Sequence, residues 1–227
     1  VAGAGLSHYR QEPEFKDGTF SYRKGPNETH NDRILRPAND PFAPQGGLVQ
    51  LEGNLGRGVI KVSAVAPERH IIQAPVRIFH EQHDCKKAFQ AGEITNDTIV
   101  VVRFQGPKSN GMPELHSLTP TLAVLQDRGL KVALVTDGRM SGASGKVPAA
   151  IHVAPEAADG GPISLLRDGD IVRLDATNGT LECLSDLSER TPAAADLTGN
   201  GNGVGRELFE IFRRSVGPST DGAGVVL

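Results

Sequence analysis

Residues 131–146 read KVALVTDGRMSGASGK, and they are the stretch of this sequence best equipped for chemistry. A buried strand runs into a loop of small residues, whose backbone N–H groups can approach an anion closely because glycine has no Cβ. Ser141 and Ser144 place hydroxyls there, and Arg139 and Lys146 place positive charge. Three readings compete. A nucleoside triphosphate loop needs Gly, four residues, then Gly-Lys-Ser/Thr. Here Met140 stands where the first glycine should be and Val147 follows the lysine, so that motif fails. A substrate loop with Ser141 as a catalytic hydroxyl fits the residue types. A plain glycine-rich turn between strands fits them too.

A second loop has the same form. Residues 103–116, RFQGPKSNGMPELH, leave an apolar strand and carry Lys108, Asn110, Glu114 and His116. Loops at strand ends are where sites usually sit. Glu114 is a hard oxygen donor suited to Mg²⁺. On its own it reads rather as an acid favoured by the dipole of the helix that follows, since such acids are common there. The seven histidines are scattered. His80 and His83 lie beside Asp84 and Cys85, but a zinc site wants more ligands at ordered spacing. His152 sits in an apolar run and reads as a satisfied structural histidine. Cys85 and Cys183 read as small packed side chains.

The elements that must hold these loops follow from the pattern. Residues 48–52 (LVQLE) alternate apolar and polar, as a half-buried strand does. Residues 59–65 and 74–79 read as strands, and 98–104 (TIVVVRF) as a central one. Residues 83–91 look helical with Asp84 as N-cap. Residues 118–127 read as a helix, with Pro120 in its first turn and Gly129 ending it. Strands at 131–136 and 149–153 follow. Asn178-Gly179 joins strands 171–176 and 180–184 in the clearest hairpin. Residues 206–214 (RELFEIFRR) read as an amphipathic helix. About seven strands with three or four helices predict an α/β fold, β-rich, with a mixed, barrel-like sheet. Residues 1–46 read as an extended polar arm with one short hairpin at 15–22, residues 47–190 as the domain carrying the loops, and 191–227 as a linker and C-terminal helix.

Composition bounds the function. The chain has 227 residues with a net charge of −3, which does not favour a duplex-binding surface and predicts no nucleic-acid partner. No apolar run approaches the ~18 residues of a membrane span. Two cysteines are too few for a disulfide scaffold or for an iron–sulfur cluster, which commonly takes three or four thiolates, and they fit a reducing, cytoplasmic setting. The start at Val1 suggests a piece of something longer.

The run VALVTDGRMSGASGKVPAAIHVAPEAADGGP, with EGNLGRGVIKVSAVAPE and VVRFQGPKSNGMPELHSLTPT upstream, resembles the dehydratase family of dihydroxy-acid and 6-phosphogluconate dehydratases. That family's pattern of TDGRxSG, HVxPEA and GGP is met at residues 136–142, 152–157 and 160–162. The wording GRMSGASGKVPAAIHV is similar to the 6-phosphogluconate branch. The resemblance covers roughly the whole chain.

It implies a swivelling β/β/α domain like the C-terminal domain of aconitase. It implies removal of water from 6-phosphogluconate to give 2-keto-3-deoxy-6-phosphogluconate, in the Entner–Doudoroff pathway. It implies a 4Fe–4S cluster held by a separate N-terminal domain of the same parent chain, with no cluster ligand here, so that this piece alone is inactive. It also implies Mg²⁺ with Glu114 as a ligand, Ser141 as the base, and a homodimer. Arg139, Ser144 and Lys146 are expected to grip the substrate's carboxylate or phosphate, since charge-assisted contacts to such anions are strong. Dehydration of another sugar acid or a dihydroxy acid, or a non-catalytic anion-binding or docking module, are the alternatives.

Overall fold

The computed structural model describes residues 9–141 and 145–225. Two units emerge, residues 1–46 and 47–227. In the first, β1 (Gln11–Lys16) and β2 (Thr19–Lys24) pair antiparallel. Asp17 and Gly18 both take positive φ at the turn, as a two-residue hairpin requires.

The second unit is a closed eight-stranded barrel. Its strands are β3 (Leu48–Gly53), β4 (Gly56–Lys61), β5 (Ile71–Phe79), β6 (Thr98–Val102), β7 (Val132–Thr136), β8 (Ala149–Ala154), β9 (Ile171–Asp175) and β10 (Thr180–Cys183). Around the barrel they run β10-β3-β4-β8-β7-β6-β5-β9. β5, β6, β7 and β8 are parallel to their neighbours in that run, and β3 pairs β10 parallel; the remaining pairings are antiparallel. The mixed, barrel-like sheet expected from the sequence is therefore a full closure, which leaves no open edge.

The apolar runs of β6 and β7 follow from burial on both faces. Ile99, Val101, Ala133 and Val135 point into the barrel, where Leu51, Ile60, Leu174 and Leu181 meet them. Val100, Val102, Val132 and Leu134 point outward, onto α1 (Gln82–Gln90) and α3 (Leu118–Asp127). α3 answers with Leu118, Leu122 and Leu125, the i, i+4, i+7 stripe of a helix that buries one face.

Three local expectations need correction. Glu81, not Asp84, occupies the N-cap of α1 and makes no capping bond; Asp84 lies in the first turn and pairs with Lys87 at 3.0 Å. The strand expected at 59–65 runs from Gly56 to Lys61, because the Gly53–Gly56 turn pairs β3 with β4 immediately. The helix expected at 206–214 is a 3₁₀ segment, Arg206–Phe209, followed by α4 (Glu210–Ser215).

Candidate active site

Four parallel strands end on one side of the barrel. β5 delivers His80, β6 delivers Arg103 to Gln105, β7 delivers residues 137–141, and β8 delivers Pro155 and Glu156. In open α/β sheets ligands bind outside the carboxyl ends of the strands, and the same geometry gathers loops here.

Asp137 ties these ends together. It is fully buried, and its carboxylate accepts N–H bonds from Phe104 (3.1 Å), Gln105 (2.9 Å) and Ala157 (2.9 Å). Burial pushes its pKa up to about 6, against the pull of those three N–H groups. Glu156 ties down the neighbouring loop, as Asp137 ties the strand ends. Its Oε1 accepts from the Lys108 N–H at 2.8 Å, and its Oε2 from the Ser109 N–H at 3.1 Å and hydroxyl at 2.9 Å. These groups start α2 (Pro107–Asn110), whose first N–H groups have no partner within the helix. Gly106 is required there, since a Cβ would stand 2.4 Å from Glu156 Oε2. Exchange of Glu156 for glutamine is expected to cost about 1–3 kcal/mol, because the amide NH₂ would face the Ser109 N–H inside the protein. Urea unfolding of the variant measures this, and an unchanged midpoint would show that Glu156 does not hold the loop.

With both loops fixed, Glu114 and residues 139–141 meet. Arg139 and Glu114 form an isolated parallel bridge, with the Leu115 N–H donating to the Arg139 carbonyl at 3.1 Å. The Arg139 guanidinium donates to Glu114 Oε2 at 2.8 Å and to the Met112 carbonyl at 2.8 Å. The Ser141 N–H donates to Glu114 Oε1. So three of the site residues expected from the sequence, Glu114, Arg139 and Ser141, come together. Lys146 is exposed, with its carbonyl accepting from the Gln126 side chain at 3.2 Å. Ser144 lies outside the described residues.

The apolar run around His152 predicts a structural histidine, and the structure puts it beside this loop. It has φ +56°, uncommon for a residue with a side chain. Its N–H donates to the Gly138 carbonyl at 2.8 Å, and burial, then Arg139, hold its pKa below the usual imidazole value. Asp137, Glu156 and His152 are the residues that reading the sequence missed as parts of this site. Their partners lie 14 to 67 positions away.

The donor set bears on metals. Among the described residues no three His, Cys, Asp or Glu side chains gather around one point as a metal site. Glu114 suits Mg²⁺ as a single hard-oxygen ligand, since that ion is usually held by one or two carboxylates with waters and substrate oxygens. The two cysteines do not suit a cluster. Cys85 is buried in the outer core, where burial pushes its thiol up to about 12, and Cys183 lies in the barrel core, where burial also raises its pKa.

The family model described as dihydroxy-acid/6-phosphogluconate dehydratase C-terminal matches residues 33–223, and the chain belongs to that family. Within the family it is 58% identical to the phosphogluconate dehydratase of Pseudomonas aeruginosa over 226 residues, covering 98% of this chain and 37% of that protein. It is 50% identical to the phosphogluconate dehydratase of Escherichia coli over 226 residues, 98% of this chain and 38% of the relative. The dihydroxy-acid dehydratase of Nitratidesulfovibrio vulgaris is 40% identical over 195 residues, 84% of this chain and 34% of the relative. The chain thus spans little more than a third of the length of the curated relatives it matches.

Proposed function

We propose that this chain is the part of a 6-phosphogluconate dehydratase that presents the proton-abstracting serine to the substrate. The observation that carries this reading is the meeting of Glu114, Arg139 and Ser141 at the carboxyl ends of parallel strands. The names and identities of the relatives support the substrate, 6-phosphogluconate.

The reaction breaks the C2–H bond, uses its electron pair to form C2=C3, and expels the C3 hydroxyl. The C2 proton and the departing hydroxide together make one water. The enol left behind tautomerises to the 2-keto acid. Ser141 takes the C2 proton. A neutral serine is far too weak a base at neutral pH, so positive charge must favour its alkoxide. Arg139 stands in the same loop, but its charge is paired with Glu114 at 2.8 Å, so a bound metal ion would have to supply that charge. Mg²⁺ bound with Glu114 as one ligand would stabilise enolate-like charge on the substrate carboxylate. Glu114 also fixes the loop through the Ser141 main chain, so the hydroxyl is presented from an anchored backbone. The 4Fe–4S cluster belongs outside this chain, in an N-terminal domain of the parent protein, and the assembled enzyme is a cytoplasmic homodimer. Among the described residues no helix is long and apolar enough to cross a membrane.

The test is keto-acid formation from 6-phosphogluconate under anaerobic conditions, with the protein at the length of its relatives compared with this chain alone. Activity in the long form only is the expected result. Turnover by this chain alone would overturn the division of labour, and an active long form that ignores 6-phosphogluconate but dehydrates a dihydroxy acid would overturn the substrate.

A further inference from the structure

A cleft opens where β3, β4 and β8 meet the C-terminal segment. It encloses about 260 Å³ and is lined by Gln50, Arg57, Gly58, Val59, His152, Ser219 and Thr220. The polar groups among these are a guanidinium, an imidazole, an amide and two hydroxyls, with no carboxylate. That is the donor set an oxyanion takes.

The backbone is bent to make it. Along β4 the pairing with β8 advances two residues, from Arg57 to Val59, while β8 advances three, from Ala154 to Ile151. β8 thus carries one extra residue, and His152 in its left-handed conformation lies within that bulge. Bulges of this kind re-aim a side chain and recur next to active sites. The C-terminal segment closes the other side, with the Ser219 hydroxyl donating to the His152 carbonyl at 3.1 Å. His152 in turn bonds Gly138, three residues before Ser141. Arg57 is only loosely committed: its partner Glu52 stands 3.7 Å away, and both side chains are more than half exposed. A pair that open contributes little and yields to a better anion.

We propose that this cleft seats the phosphoryl group of the substrate, with Arg57 as its principal donor and the His152 imidazole beside it, while the Ser219 hydroxyl, spent on the His152 carbonyl, braces the wall. The proposal rests on the 6-phosphogluconate reading above and deepens it. It assigns recognition of the phosphoryl end to residues other than Arg139, which is already occupied by Glu114 and the Met112 carbonyl. A planar guanidinium matches two phosphoryl oxygens at once, which an amide cannot replace.

The experiment compares Arg57→Gln and His152→Gln with the unaltered protein at the length of its relatives. The first readout is the ratio of kcat/KM for 6-phosphogluconate to that for gluconate, which lacks the phosphoryl group. Arg57→Gln is expected to lower this ratio about tenfold or more, as loss of a charge-assisted contact should. A general loss of fold would depress both substrates and leave the ratio where it was, and thermal melting checks the fold directly. The second readout is inorganic phosphate alone, titrated while the Arg57 and His152 side-chain resonances are followed by NMR. Saturable shifts that disappear in Arg57→Gln support the cleft. An unchanged ratio in an enzyme active on 6-phosphogluconate overturns the cleft and leaves the proposed reaction standing. An enzyme inactive on 6-phosphogluconate whose cleft still binds phosphate overturns the proposed reaction and keeps the anion site. No shift with phosphate in an enzyme without that activity overturns both.

Discussion

Replacement of Ser141 by alanine in the complete enzyme is expected to lower kcat for 6-phosphogluconate by about 10²–10⁴-fold, the usual contribution of a positioned general base. KM should change little, because a group that acts on the proton in flight adds little to ground-state binding. The bond that anchors the loop runs from the Ser141 main-chain N–H to Glu114, so alanine keeps it. The side chain is exposed, so its loss leaves no cavity. The variant should melt with the parent and still fail in turnover. Steady-state kinetics under anaerobic conditions, with a melting curve beside them, decide the matter. A variant that keeps more than a tenth of the parent's kcat would remove Ser141 from proton abstraction and leave it as a loop residue.

The sequence made the strands of the parallel run legible because burial on both faces writes itself as an unbroken apolar stretch. TIVVV and VALVT needed no partner to be recognised, and the α3 stripe gave the helix its observed bounds, Leu118–Asp127. The Asn178-Gly179 turn announced its hairpin, with Gly179 at φ +69°. Closure was not legible. It depends on β10 meeting β3 in parallel across more than a hundred residues, at Thr180 opposite Glu52, and no local pattern encodes such a contact. The site divides the same way. Ser141, Arg139 and Glu114 stood out by type, since each sits in a loop at a strand end. Asp137 and Glu156 did not, because a carboxylate that accepts backbone N–H groups from a distant loop looks in sequence like any turn acid. His152 was hidden by its apolar neighbours; only the extra residue in β8 turns it toward the loop.

Asp137 yields the largest expected effect on stability, and its pH dependence has a definite sign. Exchange for alanine strands the N–H groups of Phe104, Gln105 and Ala157 inside the protein, a loss of about 4 kcal/mol at roughly 1–3 kcal/mol per unsatisfied group. Asparagine keeps one acceptor and should cost about 2 kcal/mol at neutral pH. The native carboxyl titrates at about 6. In the unfolded chain it titrates near 3.9. Between those values the folded state binds more protons than the unfolded one, so this group's contribution to stability falls as pH rises from about 4 to about 6, by about 3 kcal/mol in all. Asparagine cannot titrate, so the stability gap between parent and Asp137→Asn should be widest at pH 4 and narrower at pH 7. Taking the difference between the two proteins cancels the other carboxylates, which are common to both. Urea midpoints at the two pH values measure it. A gap that widens toward pH 7 would mean that the three N–H bonds outweigh burial and that the carboxylate is favoured in the fold. The buried acid would then be a stabilising clasp between β6, β7 and the loop after β8, rather than a charge held at a cost to position Arg139 and Ser141.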